Sequence, residues 1–264
     1  MQGRVTPSPW VLLSAIFVLS IPLLALGSLS SARLMPGLPL SAFMFLCTAA
    51  VAFWAAWRAR GPAGMRELLA RVLDARRARP WTWHLVSVSV LPAVLLLEYA
   101  VMLALHMPLP SAKVAWLQVP VLFALFFVAA VCEEVAWSAT LLEPLQVRYG
   151  ALGAGLVLGV FAAAWHVIPF WQAQHDLTWI LGQCVFTVGF RIVVAWIYDA
   201  GGRSLFAAVL CHAAYNTAWQ LFPNQGSGYN PWITAALTWV VVGVVVAVFG
   251  ARTLAGRHPT SAST

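Results

Sequence analysis

The sequence predicts an all-α fold: a polytopic transmembrane helix bundle of about eight helices, forming one integral membrane domain over residues 1–264. Of its residues 62% are hydrophobic and only 9% are charged, with a mean hydropathy of +0.85, so a soluble globule would lack polar surface. The apolar residues also fall in runs of about 20, the length that a helix needs to cross the hydrocarbon core. Because lipid offers no water to backbone groups, such runs form helices rather than open strands.

The candidate spans follow one another along the chain with short connections. They lie near residues 10–29, 40–57, 82–105, 116–145, 151–169, 178–198, 204–222 and 231–250. The first run follows Arg4 and resembles a signal peptide. Its apolar stretch is longer than a usual signal sequence and more spans follow it, so we expect a retained helix.

The longest connection, residues 58–80, is strongly basic. It holds Arg58, Arg60, Arg66, Arg71, Arg76, Arg77 and Arg79, and the positive-inside rule makes it cytoplasmic. Counting spans from this loop gives an integral protein of the bacterial plasma membrane with both termini in the cytoplasm. Arg4, Arg148, Arg203, Arg252 and Arg257 then lie inside, and Arg33 and Lys113 outside. The net charge of +7 thus reflects topology, and no nucleic acid partner is expected.

The apolar residues within this loop recur at helical spacing among the arginines. This pattern fits a short amphipathic helix on the inner leaflet, with arginine side chains toward anionic headgroups. An ordinary basic connector that only fixes the topology fits equally well.

Three of the predicted spans carry groups that a bilayer rejects: Glu133 and Glu134, His166, and His212 with Asn216. Ionisable groups in hydrocarbon are costly unless they face a partner or a wet cavity, so they indicate a functional site. Helix rise puts Glu133, His166 and His212 at roughly 18, 24 and 14 Å above the cytoplasmic ends of their spans. Ordinary helix tilt covers that spread, and these depths favour access from the inner leaflet.

These residue types suit hydrolysis. Neutral imidazole nitrogens with carboxylate oxygens are a donor set for Zn²⁺, whose bound water becomes acidic. Without a metal, a glutamate would act as general base on a water molecule while histidine and asparagine stabilise the oxyanion. Taken singly, each group also fits a hydrogen-bonded packing residue.

The order of these residues resembles the CPBP family of intramembrane proteases, which includes CAAX prenyl endopeptidases and bacteriocin-processing or self-immunity proteins. The family pattern is EExxxR, then FxxxH, then HxxxN/D on successive core helices. The matching stretches here are EEVAWSATLLEPLQ at 133–146, AAAWH at 162–166 and HAAYN at 212–216. The resemblance covers a catalytic core of about 115–222.

The resemblance implies a role for each matched position. Glu133 would activate the attacking water and Glu134 would support it. His166, His212 and Asn216 would bind a metal or stabilise the oxyanion. If zinc is used, the metal set would be Glu133, His166 and His212.

Two positions depart from the family pattern: Ser138 replaces the arginine of EExxxR, and Ala162 replaces the phenylalanine of FxxxH, with Phe161 one residue earlier. The first change removes a cation that would balance the glutamates. Arg191 lies mid-span at a similar depth and is a candidate replacement that would pair with Glu134 or Glu133. Its alternatives are an ion pair with Glu98 and snorkelling to the interface.

The sequence therefore predicts an intramembrane endopeptidase, a hydrolase that cleaves a membrane protein or lipidated peptide substrate in or beside the lipid bilayer. One alternative is a non-catalytic immunity or scaffold protein of the same family, for which Ser138 and Ala162 argue. A second is a small proton-coupled transporter that uses the acids and histidines as a proton relay. The sequence gives no indication of oligomeric state.

Overall fold

The fold is all-α apart from one short hairpin, in a computed structural model that describes residues 7–110 and 116–256. Within these residues the helices are α1 (Pro9–Leu29), α2 (Phe45–Arg60), α3 (Pro62–Val72), α4 (Thr82–Ala104), α5 (Val119–Ala136), α6 (Glu143–Gln172), α7 (Leu177–Ala200), α8 (Leu205–Leu221) and α9 (Pro231–Phe249). Strands β1 (Arg33–Met35) and β2 (Leu38–Pro39) pair antiparallel between α1 and α2. Arg4, Lys113 and Arg257 lie outside the described residues.

Every predicted span corresponds to a helical segment of the bundle. Six stretches within the described residues are long and apolar enough to cross a membrane, but one of them, Trp116–Gln172, has 57 residues. It makes two crossings because Gly150, at φ 70° and ψ 174°, breaks the helix. Helix α8 has 17 residues and supplies the remaining predicted span. The predicted polytopic helix bundle is confirmed.

Successive spans run in opposite directions, so the connections gather at two ends of the bundle. The hairpin end contains the β1–β2 hairpin and the α6–α7 and α8–α9 connections. Gln172 fixes this end: its side-chain oxygen accepts from Ser41 Oγ at 2.5 Å, and its nitrogen donates to the Leu24 carbonyl at 2.8 Å. The turn at Gly37 rests beside the Trp219 ring.

The opposite end, here called the basic end, contains the arginine-rich segment 58–80. Arg71 of α3 hydrogen-bonds the Tyr198 hydroxyl, which donates to Glu143 at 2.7 Å. Arg77 Nε donates to the Gly202 carbonyl at 3.1 Å. An α-helix therefore does lie within the basic segment, and polar contacts join it to the ends of α6 and α7.

Helix α7 is the central helix of the bundle. In its apolar stretch 78% of the residues are buried, against 28% in α1 and in α9, which face outward. Helix α6 packs closely on α7 through Gly155 and Gly159, where a Cβ at Gly159 would lie 2.7 Å from Val188 Cα. Small residues at this spacing let two membrane helices approach closely. This contact holds the polar face of α7 beside the glutamates of α5.

Candidate active site

The adjacent glutamates at the end of α5 have different surroundings. Glu133 lies on the wall of a cavity, and its Oε2 accepts from Trp137 Nε1 at 3.2 Å. Glu134 is fully buried and faces α7 and α8. Residues Trp137–Leu142 directly after α5 form a π-helix, a local widening that is frequent at functional sites.

Glu134 is the centre of a buried polar cluster. Its Oε1 accepts from Arg191 Nη1 at 2.8 Å and from His212 Nδ1 at 2.7 Å, and its Oε2 accepts from Ser138 Oγ at 2.5 Å. A buried carboxylate is tolerated when a cation pairs with it and further hydrogen bonds satisfy its lone pairs. Glu134 meets both conditions.

The ion pair expected between Arg191 and Glu134 is thus present. Glu98, the alternative partner, instead accepts from the Asn230 backbone N–H at 2.6 Å and from Thr234 Oγ1 at 2.5 Å. Ser138, at the family's arginine position, contacts the same carboxylate as Arg191. The cation that the motif has on α5 is therefore supplied from α7, while its contribution to activity stays a prediction.

Hydrogen bonds determine the tautomers of both histidines. His212 Nδ1 lies 2.7 Å from Glu134 Oε1 and 3.3 Å from Arg191 Nη2. Since guanidinium only donates and an ionised carboxylate only accepts, the shorter contact assigns a proton to Nδ1. His166 Nδ1 lies 2.8 Å from the Ala162 carbonyl, which also accepts. In its neutral form each ring is therefore left with an unprotonated Nε2.

Glu133, His166, Arg191, His212 and Asn216 all line one cavity of about 510 Å³. The remaining wall is mostly apolar and comes from the hairpin, α5, α6, α7 and α8. A largely apolar cavity with a few convergent polar groups is the usual form of a small-molecule or catalytic site. The structure thus brings together the residues predicted from three separate spans. Glu134 lies behind them and acts through His212.

The second departure from the family pattern, Ala162 in place of phenylalanine, is not compensated by the neighbouring Phe161. Ala162 is buried, and its carbonyl orients His166. Phe161 does not take the missing phenylalanine's place beside His166, because its ring packs against Trp10 and Phe17 of α1. On the cavity side the His166 ring instead stacks on Phe170 with a centroid separation of 5.5 Å.

Sequence reasoning missed a polar stripe on α7. Gln183 and Thr187 line the cavity and stand eight and four residues before Arg191, on one helix face. Thr187 Oγ1 donates to the Gln183 carbonyl at 2.8 Å, whereas the buried Gln183 Oε1 accepts no hydrogen bond from the described residues. The sequence signal that could have predicted this stripe is the helical spacing of its polar residues within an apolar run.

The predicted zinc ligands do not form a ready metal site. Within residues 7–110 and 116–256, no three His, Cys, Asp or Glu side chains are grouped so that they could hold one ion. Glu133, His166 and His212 have suitable donor atoms. Their side chains are, however, held by hydrogen bonds with Trp137, Ala162 and Glu134. They line a cavity and do not surround a single ion position.

The fold and site define a class: an integral membrane helix bundle with acid, imidazole and amide groups on one shared cavity. Residues 114–218 match the family model described as Type II CAAX prenyl endopeptidase Rce1-like. A curated relative, "CAAX prenyl protease 2" of Methanococcus maripaludis, is 25% identical in an alignment of 159 residues that covers 52% of this chain. The matched region is similar to CAAX prenyl endopeptidases, which agrees with the resemblance seen in the motifs. The chain spans 58% of that relative's length.

Proposed function

We propose that this protein is an intramembrane endopeptidase that hydrolyses a peptide bond of a membrane protein or lipidated peptide. The observation that carries the proposal is that the two glutamates differ in their hydrogen-bond partners and in their access to the cavity. Glu134 is fully engaged by Arg191, His212 and Ser138, whereas Glu133 lies on the cavity wall with one oxygen held by Trp137. One carboxylate thus supports the site and the other remains available to a water molecule.

In this mechanism the free oxygen of Glu133 takes a proton from water as the water oxygen attacks the substrate carbonyl carbon. The Asn216 amide donates a hydrogen bond to the oxyanion that forms. Glu133 then returns the proton to the amide nitrogen as the C–N bond breaks, which releases a new carboxyl and a new amine. General base catalysis supplies roughly 10²- to 10⁴-fold and an oxyanion donor about 10²- to 10³-fold.

The histidines support the attack by the water molecule. With Nδ1 protonated and Nε2 bare, each neutral ring offers Nε2 as a hydrogen-bond acceptor to the attacking water molecule. Glu134 orients His212 through a short hydrogen bond to Nδ1. Arg191 is a positioning residue, because it acts on the substrate's surroundings through Glu134 and His212.

Zinc dependence is a separate proposal. If the enzyme uses zinc, a chelator should abolish cleavage and added Zn²⁺ should restore it, with metal content measured on the purified protein. Cleavage that persists after the metal has been removed would exclude zinc and would agree with the metal-free Glu133 mechanism.

The cavity fits a substrate with an extended, largely apolar segment. Its wall is apolar beside the polar stripe of α7, so an apolar or prenylated peptide is accommodated. The buried Gln183 Oε1 would accept from a main-chain N–H of that peptide.

Neither alternative function is favoured by the family match. The non-catalytic alternative was argued from Ser138 and Ala162, and Arg191 supplies the cation that is missing at Ser138. A proton relay would need Glu134 to exchange protons, but its ion pair with Arg191 opposes protonation.

The test compares the peptide termini in membranes of cells that express wild type or Glu133→Gln at matched levels. Glu67→Gln is the control, because Glu67 pairs with Arg60 at the basic end, away from the cavity. New termini with wild type and Glu67→Gln, but not with Glu133→Gln, would support the proposal and identify a substrate. Identical termini in all three, with all proteins folded, would contradict it.

A further inference from the structure

A second cavity lies at the basic end of the bundle, between the break in α6 and the segment that follows α9. Its wall comes from residues between 146 and 156 of α6 and from residues 251–253. It has a volume of about 750 Å³, within the size range of small-molecule sites. No residue lines both this cavity and the catalytic one, so the two are separate.

Backbone hydrogen bonds hold the two sides of this second cavity together. The positive φ of Gly150 breaks α6, and the N–H groups that follow the break need partners outside the helix. The Ala151 N–H donates to the Arg252 carbonyl at 2.9 Å, and the Leu152 N–H donates to the Ala251 carbonyl at 3.0 Å. The cavity is therefore built into the fold, and its side chains, rather than these two N–H groups, are free to bind a ligand.

The wall of the second cavity carries two cations and no carboxylate. Arg148 and Arg252 are both exposed on it. All eight acidic residues of the chain lie in its described part, and none of them forms an ion pair with either arginine. The Arg148 guanidinium lies 5.4 Å from the centroid of the Tyr149 ring. Because guanidinium groups bind phosphate oxygens with paired hydrogen bonds, the charge of this wall suits a phosphate anion.

An exposed apolar stripe of α6 leads from the second cavity into the membrane. Leu156 lies on the cavity wall, and the exposed Val160 follows it by four residues on the same helix face. Val160 is ten residues beyond Gly150, so helix rise puts it about 15 Å from the break. A ligand with an anionic head and a hydrocarbon chain would contact both the arginines and this stripe, whereas a free phosphate would contact only the arginines.

From these observations we propose that the second cavity binds the headgroup of an anionic phospholipid in the leaflet that adjoins the basic end. Arg148 and Arg252 donate to its phosphate oxygens, and an acyl chain lies along Leu156 and Val160. Basic pockets between membrane helices are suited to such headgroups. The bound lipid joins the segment after α9 to the break in α6, so it stabilises the folded bundle. This binding goes beyond the proposed function and does not depend on peptide cleavage.

Thermal unfolding of the purified full-length protein in detergent tests this site. Dioleoyl phosphatidylglycerol should raise the Tm of wild type in a saturable way, and dioleoyl phosphatidylcholine should not. The double variant Arg148→Ala/Arg252→Ala should bind phosphatidylglycerol at least about tenfold more weakly. Arg58→Ala/Arg66→Ala is the matched control, because it removes the same charge at the same end but outside the cavity wall. Equal weakening in both double variants would overturn the proposal, since it would mean that general surface charge binds the lipid.

A second variant tests the cavity itself while both arginines are kept. Ala251 is exposed on the cavity wall, so Ala251→Trp fills the space beside the arginines and should also weaken phosphatidylglycerol binding. Wild-type affinity in Ala251→Trp would refute binding in this cavity, and this result decides the question if the arginine double variant fails to fold. The same titration with inorganic phosphate should leave the Tm of wild type unchanged. A shift equal to that with phosphatidylglycerol would refute a lipid ligand in favour of free phosphate.

Discussion

Glu133 and Glu134 show how one helix can give two neighbouring acids different tasks. Adjacent helical positions point about 100° apart, so one carboxylate faces the cavity and the other faces α7 and α8. Three polar groups surround Glu134, one of them the cationic Arg191, whereas Trp137 donates to a single oxygen of Glu133. The surroundings of each carboxylate, rather than the residue type, therefore determine which glutamate can act as a general base and which supports the site.

Moving the cation back to its motif position tests the role of Arg191. Arg191→Leu leaves Glu134 buried without a cation, which should cost about 3 to 5 kcal/mol of stability and strongly reduce cleavage. Ser138→Arg in the same protein should restore part of both, since residue 138 contacts the same carboxylate. Thermal unfolding and cleavage rate are measured together, with Arg66→Leu as a surface control.

Unchanged folding and activity in Arg191→Leu would end the compensation idea. Loss of stability that Ser138→Arg does not relieve would show that Arg191 has another structural task.

Gln183 gives a prediction about substrate binding. Gln183→Leu removes the unpartnered oxygen from the cavity wall, so KM should rise by about tenfold, the equivalent of one hydrogen bond, with kcat nearly unchanged. Thr187→Val is the matched control, because its hydroxyl already donates to the Gln183 carbonyl. Equal effects of the two changes on KM would argue against a specific contact from Gln183.

At the scale of helices, the α6–α7 contact holds the site together. Gly155 and Gly159 form a small-xxx-small pair, and the neighbouring α7 backbone lies where their side chains would be. Helix α6 carries His166 and α7 carries Arg191, so separation of these helices would move the imidazole away from the polar cluster.

Gly159→Val should therefore destabilise the protein by about 1 to 3 kcal/mol and reduce cleavage together with stability. A Cβ there would lie 2.7 Å from Val188 Cα. Gly243→Val in α9 is the control, since a Cβ at Gly243 has no described heavy atom within 4 Å. Thermal unfolding in detergent compares the two variants, and similar losses would mean that the close approach at Gly159 is not what matters.

The elements differ in how far sequence could predict them. The spans were predictable because hydrocarbon thickness sets helix length, and the Arg191–Glu134 pair because a buried arginine requires an acid. The π-helix at Trp137–Leu142 and the free Gln183 oxygen depend on packing between helices distant in sequence. Which histidine nitrogen is protonated also required the geometry of Glu134 and Ala162.

At the scale of the whole molecule, the bundle has a cavity toward its hairpin end, and polar contacts join α6 to α7 at its basic end. The arginine distribution predicted the orientation of such a bundle, but not the end at which the cavity lies. That feature depends on the summed packing of five elements around the catalytic groups. The fold therefore places Glu133 on the wall of a cavity that extends toward the hairpin end.

The central claim is that Glu133 activates water for peptide hydrolysis inside the bundle. The most direct measurement uses purified protein in liposomes with an identified substrate peptide in ¹⁸O-labelled water, followed by mass spectrometry of the products. Wild type should place ¹⁸O in the new carboxyl terminus, and Glu133→Gln, folded to the same extent, should lower the rate at least a thousandfold. Cleavage by Glu133→Gln at the wild-type rate, or an intact peptide with both proteins, would contradict the account.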